Sequence, residues 1–187
     1  MNNFIKIKNI SKKYEKNTTI KVLNDISFNF ESGKIYSIVG PSGSGKSTLL
    51  NLLSLIDTPN SGVIKINDNK IDFENKIEND NIRAKKIIKN VGLSSRLNHF
   101  PSELSGGENQ RIAIARALIN SPEIILADEP TGSLDFENAK QIFELLLNLK
   151  NKKRIIIFAT HNRYFANMAD CKIKMIDGKM KSTNERV

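Results

Sequence analysis

Gly40-Pro-Ser-Gly-Ser-Gly45-Lys46-Ser47 is the stretch on which the reading of this chain turns. It follows a short apolar run, Ile35 to Val39, typical of a buried strand. It opens a segment from Lys46 to about Ile56 in which Leu49, Leu50, Leu52, Leu53 and Ile56 fall on one helical face. A G-x-x-x-x-G-K-[ST] run in that strand–helix context has the form of a phosphate-binding loop. Glycine lets the backbone curl so that successive N–H groups point inward at a phosphate chain. The helix N-terminus adds its partial positive charge. Lys46 has the reach for β- and γ-phosphates, and the Ser47 hydroxyl suits Mg²⁺. The candidate nucleotide contacts are therefore Gly40, Ser42, Gly43, Ser44, Gly45, Lys46, Ser47 and Thr48.

Downstream, Glu123-Ile-Ile-Leu-Ala-Asp128-Glu129-Pro is an apolar strand that ends in two acids. A doubly wound parallel sheet places its ligand site at such strand tips. Asp128 is the candidate to hold Mg²⁺ through water, and Glu129 the candidate to polarise an attacking water. A third element, Leu104-Ser105-Gly106-Gly107-Glu108, precedes a long helical segment running to about Asn120. Ser105, Gly106 and Gly107 at a helix N-terminus form a second anion pocket of N–H groups, dipole and hydroxyl. One chain rarely needs two γ-phosphate pockets, so the economical arrangement is a head-to-tail dimer, each chain capping its partner's nucleotide.

Around these elements, Phe4 to Ile10 and Val22 to Phe30 alternate as strands, with a turn at Glu31-Ser32-Gly33-Lys34. Val63 to Ile66 suggests another hairpin strand turning at Asn67-Asp68-Asn69, and Lys85 to Val91 reads as either a short helix or a strand. Phe136 to Leu149 reads as an amphipathic helix, and Arg154 to Ala159 as a third buried strand. Final strands around Lys172 to Ile176 and at Met180 flank Asp177-Gly178. Strands alternating with helices predict an α/β core with a largely parallel sheet.

Composition narrows the function. A chain of 187 residues suggests one domain, and its single cysteine, Cys171, permits no internal disulfide and reads as a small buried hydrophobe. No apolar run reaches the roughly 18–20 residues that cross a bilayer, and the first residues lack a signal-peptide core, so neither secretion nor spanning is expected. The net charge of +9 is compatible with nucleic acid, lipid headgroups or a nucleotide, but zero Trp and few Tyr argue against a stacking platform for single strands.

Taken together, the three motifs resemble the nucleotide-binding subunit of ABC transporters over nearly the whole chain. The resemblance implies a P-loop NTPase core with a parallel sheet, a small antiparallel β subdomain and a helical subdomain, binding ATP and Mg²⁺. It implies that Tyr14, in Ser11-Lys-Lys-Tyr14, stacks on adenine. It implies that Ser133-Leu134-Asp135 is a loop crossing the dimer seam, with Asp135 at the site, and that His161 is a switch histidine that contacts γ-phosphate and orients the water. His99 is expected at the surface. The stretches 127–135 and 93–107 are most similar to subunits serving lipoprotein release, macrolide efflux and bacteriocin or peptide export.

One feature departs from that pattern. Thr48 to Leu104 spans 56 positions (104 − 48), markedly fewer than in the family, whose interval holds a strand ending in the Q-loop glutamine. The chain has glutamine only at Gln110 and Gln141, so the Q-loop, its strand and part of the helical subdomain are missing, between about residues 75 and 90. Residues 83–92 match either the start of the lost strand or the helix after the gap. The expectation is thus a cytoplasmic ATPase subunit, peripheral at the inner membrane face. It acts as a homodimer or paired subunit on a transmembrane permease, with no nucleic-acid partner. The rivals are a subunit that binds nucleotide but turns over poorly, and a soluble ABC ATPase outside transport.

Overall fold

The computed structural model describes residues 4–15, 18–67, 69–70, 87–97 and 99–183. β1 (Phe4–Glu15) and β2 (Thr19–Glu31) form a long antiparallel hairpin, extended by β4 (Ser61–Ile66) and β5 (Asn69–Lys70) into a sheet of order β2-β1-β4-β5. The second sheet holds β3 (Ile35–Val39), β6 (Ile124–Asp128), β7 (Ile155–Ala159), β8 (Cys171–Ile176) and β9 (Lys179–Thr183) in the order β6-β7-β3-β8-β9. Its first four strands are parallel, and β9 returns antiparallel on β8 across the predicted turn. The helices are α1 (Lys46–Leu53), α2 (Gly106–Leu118), α3 (Phe136–Asn148) and α4 (Arg163–Ala166), and residues 87–90 are also helical. The expected α/β core and small antiparallel subdomain are both present.

The period of two along the buried strands explains the layering. In β7, Ile155, Ile157 and Ala159 enter one core with β1, β2 and α1, while Ile156 and Phe158 enter the other with α3 and α4. A strand apolar at every position can satisfy both faces at once, which is why Ile-Ile-Ile-Phe-Ala lies in the sheet interior. Buried polar groups on β3 are paired. Ser37 Oγ donates to the Ala166 carbonyl, and the Tyr36 hydroxyl accepts from Glu31 N–H. Tyr36 also packs edge-on against Phe28 and Phe30, fixing the antiparallel sheet onto β3.

Several local expectations need correction. α1 ends at Leu53, and Ile56 is 78% exposed instead of joining the apolar face. Leu55 takes a left-handed φ of 63°, and the Asn51 carbonyl accepts from both Ile56 N and Asp57 N, which turns the chain outward. β1 and β2 run past the predicted alternation because register shifts between Ile7 and Lys13 absorb the mismatch. Cys171 is half-buried, and the turn prediction at Asp68 lies outside the described residues. Of the uncertain segment, residues 87–90 are helical. The expected break between about 75 and 90 falls mostly outside the described residues.

Candidate nucleotide-binding and hydrolysis site

Register across the parallel sheet builds the site. Ala159 of β7 pairs with Ile38 of β3 on one side and with Asp128 of β6 on the other. Those three residues stand in one row, so the chain beyond each of them emerges at the same edge. Past Ile38 comes the glycine loop, past Ala159 come Thr160 and His161, and at Asp128 come the two acids. Thr160 N–H donates to the Ile38 carbonyl at 3.0 Å and Glu129 N–H to the Ala159 carbonyl at 3.0 Å, which locks the three strand ends together.

The loop leaves no space for a side chain at Gly40. A Cβ on Gly40 would come within 2.2 Å of the Met175 carbonyl and 2.7 Å of Ser44 Oγ. Gly45, the N-cap of α1, has φ 99° and brings no capping side chain. The first turn of α1 contains no acid either, so its N-terminal N–H groups face the loop without a competing carboxylate. Ser44 Oγ is buried with no hydrogen-bond partner. An orphaned hydroxyl inside a bare-amide cradle fits a phosphate acceptor. Lys46 Nζ folds back onto the carbonyls of Gly40 and Pro41, each at 3.0 Å, while Ser47 is exposed and Thr48 half-buried.

At the neighbouring tips, Glu129 Oε2 lies 3.0 Å from His161 Nδ1. Glu129 has a left-handed φ of 45°, an uncommon conformation for a residue with a Cβ and one that concentrates at functional sites. Both side chains line a cavity of about 220 Å³ with Thr131, Thr160 and Asn162. Asp128 is exposed beside them. No three histidines, cysteines or carboxylates cluster among the described residues. The hydroxyl of Ser47 and the carboxylate of Asp128 are donor types that suit an Mg²⁺ arriving on phosphates and keeping its water.

The second pocket stands apart. Ser105 caps α2 in a capping box: Glu108 N–H donates to Ser105 Oγ at 3.3 Å and Ser105 N–H to Glu108 Oε2 at 2.8 Å. Arg96 Nε donates to the other Glu108 oxygen at 2.8 Å. The Ser105 amide, then the Arg96 guanidinium, hold the Glu108 carboxyl down at about 2. Ser105 and Gly106 are solvent-exposed, and a Cβ on Gly107 would crowd Asn138 at 3.3 Å. Among the described residues, no hydrogen bond or ion pair joins this pocket to the glycine loop.

Asp135 works within its own chain as the N-cap of α3, accepting from Asn138 N at 3.0 Å and Asn138 Nδ2 at 2.6 Å. Tyr14 is 40% exposed, and its hydroxyl donates to Asp57 Oδ2 at 2.7 Å. His99 is exposed as expected. Gln141 accepts from Arg111, tying α3 to α2. Sequence reasoning missed Lys12, Asp57 and Arg96, whose partners lie on distant segments. It also passed over Glu108, although Ser-x-x-Glu before an apolar helix was a readable signal.

Known proteins supply the remaining identification. The ABC transporter family model matches residues 23–83 and 72–132. The lipoprotein-releasing system ATP-binding protein LolD of Rickettsia bellii is 38% identical over 216 residues, covering 96% of this chain and 98% of that protein. The LolD protein of Rickettsia typhi is 40% identical over 208 residues, covering 91% of this chain and 94% of its own. Among solved structures, the dimeric ATP-binding cassette MJ0796 in a post-hydrolysis state with ADP and Pi superposes with a TM-score of 0.83 at 30% identity, covering 98% of this chain and 100% of that one. The chain belongs to the ABC transporter family, as an ATP-binding and ATP-hydrolysing subunit.

Proposed function

We propose that this subunit powers an ABC transporter of the lipoprotein-releasing type. It would work as a homodimer docked at the cytoplasmic face of a membrane permease. ATP phosphates lie in the Gly40–Ser47 loop with Lys46 on the β- and γ-groups and Ser42, Ser44 and Thr48 around them. Ser105, Gly106 and Gly107 of a second copy close over the γ-phosphate. Ser47 and, through water, Asp128 would hold Mg²⁺, which would supply charge neutralisation. Glu129 takes up the proton of the attacking water, His161 orients that water, and Tyr14 meets the adenine. The single observation carrying this reading is the row Ile38–Ala159–Asp128, which brings loop, histidine and acids to one edge and leaves Ser105-Gly106 exposed elsewhere. Similarity to LolD proteins and to a dimeric cassette supports cargo type and pairing. No helix among the described residues is long and apolar enough to cross a membrane.

The test is Glu129→Gln at saturating Mg-ATP. Light scattering should show an ATP-dependent doubling of mass, and a monomer at saturating ATP would sink the sandwich.

A second reading, slow turnover, is favoured by one observation. The alignment to the Rickettsia bellii protein exceeds the length of this chain by 29 positions (216 − 187), and no glutamine lies between Thr48 and Leu104. A cassette without that glutamine lacks one Mg²⁺ ligand and a hinge toward the permease. It should bind Mg-ATP yet hydrolyse it slowly, and a full, permease-stimulated steady-state rate would refute this.

A further inference from the structure

β1 carries a buried lysine. Ile5, Ile7 and Ile10 face the core, and the register shifts between Ile7 and Lys12 keep Lys12 on that same inward row, 8% exposed. Its ammonium ion-pairs with Asp57 Oδ1 at 2.6 Å and donates to the Thr58 carbonyl at 2.8 Å. Two residues on, Tyr14 shares that face. Lys12 Nζ sits 4.8 Å from the Tyr14 ring centroid, and the Tyr14 hydroxyl donates to the second Asp57 oxygen at 2.7 Å. Thr48, in the first turn of α1, lies beside the same hydroxyl. Asp57 comes from the turn after α1, so both ends of the phosphate-loop helix are engaged with one tyrosine.

An exposed tyrosine on a strand normally samples several rotamers. Here a cation covers one face and a carboxylate holds the hydroxyl, so only the opposite face is left for stacking. We propose that Asp57, braced by Lys12, is a positioning residue that holds the Tyr14 ring against the phosphate-loop helix as a fixed platform for the nucleotide base. This rests on Tyr14 being the base contact of the proposed ATP site. Asp57 touches neither base nor phosphate and acts through the tyrosine alone.

The experiment compares affinity for Mg-ATP with affinity for Mg-tripolyphosphate, which has the phosphates and no base, by calorimetry on the full chain. Tyr14→Phe keeps the ring and removes only the tether. Asp57→Ala alone would strand the Lys12 ammonium, so it is combined with Lys12→Met. Both variants should lose about three- to tenfold in ATP affinity with tripolyphosphate unchanged, a part of what a stacked base is worth. Tyr14→Ala should lose more, again on ATP only. Equal losses on both ligands would make Asp57 a mere structural staple and overturn the proposal. So would unchanged ATP affinity in Tyr14→Phe and the double variant while Tyr14→Ala remains weak. If Tyr14→Ala itself leaves the ATP-to-tripolyphosphate ratio untouched, the base contact fails first and the platform with it.

Discussion

Glu129 and His161 come from the tips of adjacent parallel strands and meet at 3.0 Å, carboxylate oxygen to ring Nδ1. The contact orients both groups. Replacing Glu129 by Gln keeps the shape and removes the proposed base, so ATP turnover should fall by about 10²–10⁴-fold with Mg-ATP affinity retained. His161→Ala should also slow turnover while leaving binding intact. Single-turnover hydrolysis beside equilibrium binding checks both, and a weak-binding, full-rate variant would contradict the assignment.

Glu129 also holds a backbone conformation that costs about 1–2 kcal/mol for an ordinary residue. Asn tolerates the left-handed region better, so Glu129→Asn should lift Tm by about 2–4 °C while hydrolysis is lost. Differential scanning calorimetry measures it. A lowered Tm would mean that the side-chain contacts of Glu129 outweigh the strain.

Gly40→Ala tests the cradle by volume alone. Gly40 has no positive φ, so only the clash with the Met175 carbonyl and Ser44 Oγ is at stake. The variant should be destabilised by about 1–3 kcal/mol and should bind Mg-ATP poorly, read by thermal melts with and without nucleotide. Wild-type stability with wild-type affinity would show that β3 and β8 separate more easily than their hydrogen bonding suggests.

Acid should loosen the second pocket. The Glu108 carboxyl is held at about 2, below its ordinary 4.5, first by the Ser105 amide and then by Arg96. A depressed carboxyl stabilises fully above 4.5, and that contribution fades as pH drops from there toward about 2. NMR titration should find this low midpoint, and Arg96→Met should move it upward. Amide exchange at the start of α2 should quicken over the same acid range. A midpoint unmoved by Arg96→Met would assign the whole effect to the cap.

Much of the fold is legible in the chain. Period-two and period-3.6 patterns place β3, β6, β7 and α3 within a residue or so, because fully buried elements are apolar wherever they touch the core. The glycine loop is legible because phosphate binding limits residue choice so tightly. The features that escape depend on encounters at long range. Nothing local to Lys12 reveals that Asp57 will lie beneath it, and Arg96 meets Glu108 only once a short loop has folded. Ile56 escapes too, because helical periodicity cannot see the left-handed residue just ahead of it that turns the chain away from the core.

Lys46 Nζ donates to two uncharged oxygens of its own loop. An arriving ligand must therefore outbid those carbonyls before it gains the ammonium at all. A phosphate oxygen carries a full negative charge that a carbonyl lacks, so a polyphosphate wins that exchange and a neutral molecule of the same outline does not. The loop thus filters by charge first and by shape second, with a latch made from its own backbone.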